Sequence, residues 1–172
     1  MKKFKTEPSR LIKFNKIIIP EDFILIVDTR EQKPLFDNNK KSVWKNKLRI
    51  VERSLKHGDY SIEGMENKVC IERKMVSDFI SYVGKDRKNT DTKCEAMKSL
   101  LWKALVIESD RDSLFIPAFG SRVTCNQVYS FLVSRAVKYN MHIYIDNDRT
   151  NIEMYVLSHL VYFYKKIRKG EI

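Results

Sequence analysis

Asp59, Glu72 and Lys74 lie in two short stretches whose residue pattern is that of a β-hairpin. Residues 59–62 and 69–73 are strand-like, and Gly64-Met65-Glu66-Asn67 between them is a turn cluster in which Gly and Asn accept positive φ. A loop of those residues alone makes Glu63 face Lys68 and carries the pairing outward until Asp59 lies opposite Glu72. Opposed residues of an antiparallel pair hold their Cβ atoms about 4.5–5.5 Å apart on one face. Lys74 follows Glu72 by two positions and shares that face, while Arg73 points the other way. Carboxylate oxygens arranged in this way suit Mg²⁺ or Mn²⁺. A lysine beside such a metal suits hydrolysis of a phosphodiester.

The same residues would also make an ordinary solvated charged face. Their surroundings favour chemistry: Val69, Cys70 and Ile71 run into Glu72, and Met75, Val76, Phe79 and Ile80 follow Lys74 at helical spacing. Charges at the end of a buried strand are costly unless paired, and a metal supplies the pairing.

The elements that must hold these residues are legible from period and punctuation. Residues 23–27 are a continuous apolar run, the pattern of a strand buried on both faces. Asp28 stands at its C-terminal end, the usual edge for a site in an α/β sheet. A polar loop over 31–47, a strand at 48–51, the hairpin and a short helix at 75–83 come next. Residues 84–92 read as a charged loop carrying Lys85, Arg87 and Lys88, and helical period resumes at Cys94, Met97, Leu100 and Leu101. A strand at 104–108 and an irregular stretch at 109–123, with Pro117 and Gly120, precede a helix at 124–139 opened by a Thr124–Gln127 capping box. After a strand at 141–145, Thr150 and Glu153 form a second capping box for a helix reaching Lys169, where cations are favoured at the C-terminus. This order predicts one α/β domain, a mixed central β-sheet flanked by helices, over residues 21–172. Residues 1–20 form a basic lead-in that Pro20 ends.

The net charge of +11, from 33 basic and 22 acidic residues, is compatible with solubility alone but points to a polyanion partner. At 43% hydrophobic the 172 residues suffice for one core. Cys70, Cys94 and Cys125 are widely spaced, with no Cys-x-x-Cys pair, which speaks against a zinc site and for reduced thiols and a cytoplasmic location. No apolar run is long enough to span a membrane, and the basic N-terminus lacks the apolar region of a secretory signal. His57, His142 and His159 read as structural, since nothing pairs them with a nucleophile.

The order Asp, hairpin, Glu-x-Lys is the general pattern of the PD-(D/E)XK nucleases. The fuller string, Val27-Asp28-Thr29-Arg30-Glu31, Gly58-Asp59-Tyr60, Ile71-Glu72-Arg73-Lys74 and Ser77-Asp78-Phe79, resembles the nuclease domain of the XPF family. The likeness extends over roughly residues 23–165, with Arg87 where that family has a basic residue after its first helix and 102–108 resembling its following strand.

The resemblance implies a restriction-endonuclease-like fold and a metal-dependent DNA endonuclease. It makes Asp28, Asp59 and Glu72 the metal carboxylates, adds a main-chain carbonyl near Arg73, and gives Lys74 the catalytic cation. Arg30, Glu31, Arg73 and Asp78 are supporting residues, Asp78 as a holder of Lys74 or Arg73. The phosphate contacts are Arg30, Lys85, Arg87 and Lys88. Arg30 and Glu31 also admit the plainer reading of a surface ion pair.

The helix-hairpin-helix module of larger XPF-type enzymes is expected to be absent, because Gly120 and Gly170 are the only glycines after residue 84. DNA affinity then comes from the basic domain itself, from a separate DNA-binding partner, or from a homodimer through helices 124–139 and 150–169. The implied substrates are branched or flapped DNA in repair, recombination or mobile-element processing, as in small phage-type nucleases. A nuclear or viral-replication site replaces the cytoplasm if the host is eukaryotic. A catalytically silent DNA-binding scaffold and an RNA nuclease are the competing readings.

Overall fold

The computed structural model describes residues 17–36, 44, 47–116 and 121–172. Most of the lead-in expected at 1–20, with Pro117 and Gly120, lies outside them. Within residues 17–20, Ile17 and Ile19 pack against the core, and Lys165 donates to the Ile18 carbonyl at 2.6 Å.

Six strands form one sheet: β1 (Ile24–Val27), β2 (Arg49–Glu52), β3 (Tyr60–Ile62), β4 (Val69–Met75), β5 (Trp102–Glu108) and β6 (His142–Asp146). Their order is β2-β1-β3-β4-β5-β6. β3 runs antiparallel to both neighbours, and the other pairs are parallel, so the sheet is mixed as expected. The helices are α1 (Val76–Val83), α2 (Arg87–Ala96), α3 (Arg111–Phe115), α4 (Cys125–Tyr139) and α5 (Arg149–Arg168).

The period of two divides the core. Val69, Ile71, Ala104 and Val106 face α5, while Cys70, Leu105 and Ile107 face α1, α2 and α4. That alternation, continued past the apolar residues, puts Glu72 and Lys74 on the α1 side and Arg73 and Glu108 on the α5 side.

The hairpin has the expected register, with Tyr60 opposite Ile71. Its loop is longer than the turn cluster, because Glu63 and Lys68 join local turns closed by Met65 N–H to the Ile62 carbonyl and Lys68 N–H to the Met65 carbonyl, each 2.9 Å.

Three expectations need correction. The polar loop at 84–92 is largely helix, since α2 begins at Arg87. Its stretch before Cys94 has no apolar period, and buried Thr90 and Cys94 anchor the helix instead. A short helix interrupts the irregular stretch at 111–115. α5 is capped not by Thr150 but by Asp148, whose carboxylate accepts from Thr150 N–H at 2.7 Å and Asn151 N–H at 3.2 Å. Glu153 is buried instead and accepts from Phe36 N–H at 2.9 Å. The Thr124–Gln127 capping box opens α4 as expected.

Candidate active site

The site lies where β1, β4 and β5 end and β3 begins. Gly58 brings Asp59 to it. Its φ is +72°, and a Cβ there would sit 2.9 Å from the Ile71 carbonyl oxygen and 3.0 Å from Cys70 Cβ, so only glycine permits the close approach of β4. One step past the Tyr60–Ile71 pair the ladder gives way. Asp59 N–H donates to the Ile71 carbonyl at 2.8 Å, and the Arg73 N–H donates to the Asp59 side chain, Oδ2, at 2.7 Å.

Lys74 Nζ lies 2.7 Å from Glu72 Oε1, 3.6 Å from Asp59 Oδ2 and 2.9 Å from the Arg73 carbonyl oxygen. The three residues singled out from the hairpin therefore converge. The hydroxyl of Tyr82, from α1, donates to Glu72 Oε1 at 2.7 Å, and its ring lies 5.1 Å beneath the Lys74 ammonium. Burial and the neighbouring Glu72 carboxylate push Asp59 up to about 7, against the pull of Lys74. Burial lowers Lys74, but Glu72 and Asp59 together outweigh it and leave the ammonium more basic than an ordinary lysine.

Asp28 does not join this group. Both its oxygens are taken: Arg30 Nε donates to Oδ1 at 2.7 Å, Arg30 Nη2 to Oδ2 at 2.9 Å, Arg30 N–H to Oδ1 at 2.8 Å and Leu55 N–H to Oδ2 at 2.6 Å. The Arg30 fork holds the Asp28 carboxyl at about 2. Among the described residues, no three acids, histidines or cysteines cluster in the way a metal requires. Asp28 of the expected three-carboxylate set therefore stands engaged by Arg30 and Leu55, apart from the Asp59–Glu72 pair. The donors present are Asp59, Glu72 and the Arg73 carbonyl. Both contacts to Asp59 fall on Oδ2 and both to Glu72 on Oε1, so each carboxylate keeps one oxygen without a partner among the described residues. Two such carboxylates with the Arg73 carbonyl are a hard-oxygen set that fits Mg²⁺ or Mn²⁺, with the Lys74 ammonium beside them.

Arg30 and Glu31 do not pair with each other. Arg30 is exposed over Asp28 and also donates to the Leu55 carbonyl at 2.6 Å. Glu31 accepts from Arg73 Nη1 at 3.2 Å. Arg73 is turned away from Lys74 as expected, and its guanidinium is buried against Glu31 and Glu108. Asp78 lines the same groove as Asp59 and Lys74 but bonds neither Lys74 nor Arg73. Glu72 and Glu108 do that work. Lys85, Arg87 and Lys88 lie beyond the far end of α1, outside the groove around Asp59.

Sequence reasoning missed Glu108 and Tyr82. Glu108 had a signal, a charge ending an apolar strand as Asp28 does. Tyr82 had none, because its contact depends on α1 folding back over β4. His142 and His159 stack on Trp102 with ring centroids 5.3 Å away in each case, far from Asp59 along β5.

The ERCC4 domain matches residues 27–152, more than half of the chain, and spans every site residue above. The chain belongs to the ERCC4-domain family. Two solved structures are similar, both of XPF from Aeropyrum pernix. The one described as a complex with DNA has a TM-score of 0.62 at 16% identity, covering 83% of this chain and 65% of that one. The other also has a TM-score of 0.62 at 16% identity, with 80% and 59% covered. This chain therefore spans less than two thirds of either relative. No curated protein sequence matches it. Among the described residues no helix is long and apolar enough to cross a membrane, and Cys70, Cys94 and Cys125 are free thiols.

Proposed function

We propose that this ERCC4 domain is a divalent-metal-dependent DNA endonuclease. The observation that carries the reading is the convergence of Asp59, Glu72 and the Arg73 carbonyl around the Lys74 ammonium. When bound there, Mg²⁺ or Mn²⁺ supplies Lewis acidity toward the scissile phosphate and its attacking water. Asp59 and Glu72 would hold it, and Tyr82 fixes the Glu72 carboxylate. Lys74 keeps a positive charge beside the reacting phosphate and offsets the charge that develops on its oxygens. Asp28 serves by locking Arg30 at the groove mouth, where its exposed guanidinium meets a neighbouring phosphate.

The +11 charge suits a nucleic acid, and DNA is the favoured polymer because the similar Aeropyrum pernix XPF is described in complex with DNA. Branched or flapped DNA in repair, recombination or mobile-element processing is the proposed substrate. Of the two helices expected at a homodimer contact, α5 buries Val156, Phe163 and Tyr164 in this domain's own core, and the homodimer is proposed through α4, where Tyr129, Val133 and Val137 form an exposed stripe at four-residue spacing. Purified protein with Mg²⁺ or Mn²⁺ on linear, nicked, flapped and forked DNA and matched RNA tests the reading. Cleavage of flapped or forked DNA is expected. Cutting of RNA alone makes it an RNA nuclease, and binding without cleavage of any substrate makes it a scaffold.

A further inference from the structure

The candidate active site is poorly equipped to attract DNA. Its groove holds Glu31, Asp59 and Asp78, and of its cations Arg73 is committed to Glu31 and Glu108 and Lys74 to Glu72 and Asp59, which leaves Lys33 and the exposed face of Arg30 to meet phosphate. Further affinity for a polyanion has to come from elsewhere on the domain.

A second groove lies at the other end of α1. Lys85, Arg87 and Arg122 line it with Ser81, Ser121 and Gln127, and no acidic residue does. Lys85 and Arg122 are exposed and have no acidic partner among the described residues. Arg87 is held over the Phe131 ring at 5.4 Å, with Asp91 at the limit of ion-pair distance, 4.0 Å. Arg122 comes from a segment distant in sequence, and Gly84 admits it. A Cβ on Gly84 would lie 2.9 Å from Val123 Cγ2, so the 121–123 segment reaches the end of α1 because residue 84 has no side chain. A Ser121 Oγ bond from Val123 N–H, 3.1 Å, and the Thr124–Gln127 capping box then fix the turn that carries Arg122. The cations come from two segments packed tightly together.

We propose that Lys85, Arg87 and Arg122 form a second phosphate-binding site, which grips the DNA backbone away from the scissile bond; the proposal rests on the nuclease reading above. Met75 and Ser77, at the start of α1, line the active-site groove, and Ile80, Val83 and Gly84, at its end, line this one. The eight residues of α1 set the separation at about 12 Å, from a rise of about 1.5 Å per residue. α1 thus acts as a spacer between the reacting phosphate and the phosphates that hold the duplex. Arg122 is the member of this site that lies outside the family-like motifs.

Fluorescence anisotropy on a labelled duplex in EDTA, across a salt series, tests the site without cleavage. Lys85→Glu/Arg122→Glu is expected to weaken binding by about tenfold or more and to lower the slope of log K against log salt by about two. Both positions are exposed, so folding is preserved. Lys47→Glu/Lys169→Glu makes the same charge change elsewhere and is expected to keep the wild-type slope. An unchanged slope in the first variant, or an equal loss in the second, overturns the site while leaving the nuclease reading standing. Absence of any duplex binding by the wild-type protein at low salt overturns both.

Discussion

The main-chain N–H of Arg73 donates to the Asp59 carboxylate at 2.7 Å, where a continuing hairpin would have used a backbone carbonyl. That one bond aims Asp59 at the strand carrying Glu72 and Lys74. Strand alternation then places those two side chains on the Asp59 side and sends Arg73 to the other, where Glu31 and Glu108 receive it.

Asp59→Ala and Glu72→Ala are each expected to abolish cleavage while duplex binding is retained. On the proposed reading the two carboxylates would hold the metal, and affinity would come from cations elsewhere. Gel-based cleavage with Mn²⁺, beside anisotropy in EDTA, checks this. Cleavage by either variant at near wild-type rate refutes the assignment.

Lys74→Ala is expected to bind Mn²⁺ but turn over at least about a hundredfold more slowly, the cost of removing one charge from a transition state. Lys74→Arg should recover only part of the rate, because a planar guanidinium cannot sit as a point charge between Glu72 and Asp59. Calorimetric metal titration with single-turnover kinetics separates the two roles. Loss of metal binding in Lys74→Ala would make the lysine structural.

Asp28 should contribute about 1 kcal/mol of stability at neutral pH, since its carboxyl sits at about 2 in the folded chain against an ordinary 3.8 and its partner Arg30 is open to solvent. A depressed carboxyl stabilises above its unfolded value and loses that contribution as pH falls through its folded value. The urea stability of wild type is expected to exceed that of Asp28→Asn at pH 7 and to converge on it between pH 3.8 and about 2. A gap that persists unchanged below that window contradicts the Arg30 pairing.

Glu108→Ala should cost on the order of 3 kcal/mol in urea unfolding, because it strands the buried Arg73 guanidinium with Glu31 as its remaining acid. Glu108→Ala combined with Arg73→Met should recover much of that loss. A double variant no more stable than the single one would show that the charge was not the cause.

The exposed α4 stripe predicts self-association. Light scattering at micromolar concentration is expected to give a dimer mass for wild type and a monomer mass for Val133→Asp/Val137→Asp. A monomeric wild type, with or without DNA, removes the dimer.

Glu72, Lys74 and the Tyr60–Ile71 register were legible in the sequence because strand alternation is a local rule that needs no knowledge of neighbours. The apolar runs of β1, β4 and β5 and the capping box of α4 were legible for the same reason. What tertiary structure alone decided were competitions between distant groups. Alternation aims Asp28 toward the site, but Arg30 and the Leu55 N–H reach its carboxylate first. Glu108 becomes part of the site only once β5 lies beside β4, and Tyr82 only once α1 folds over Glu72. α2 forms through polar residues because Thr90 and Cys94 gain burial in the assembled fold, a gain that a local pattern cannot register.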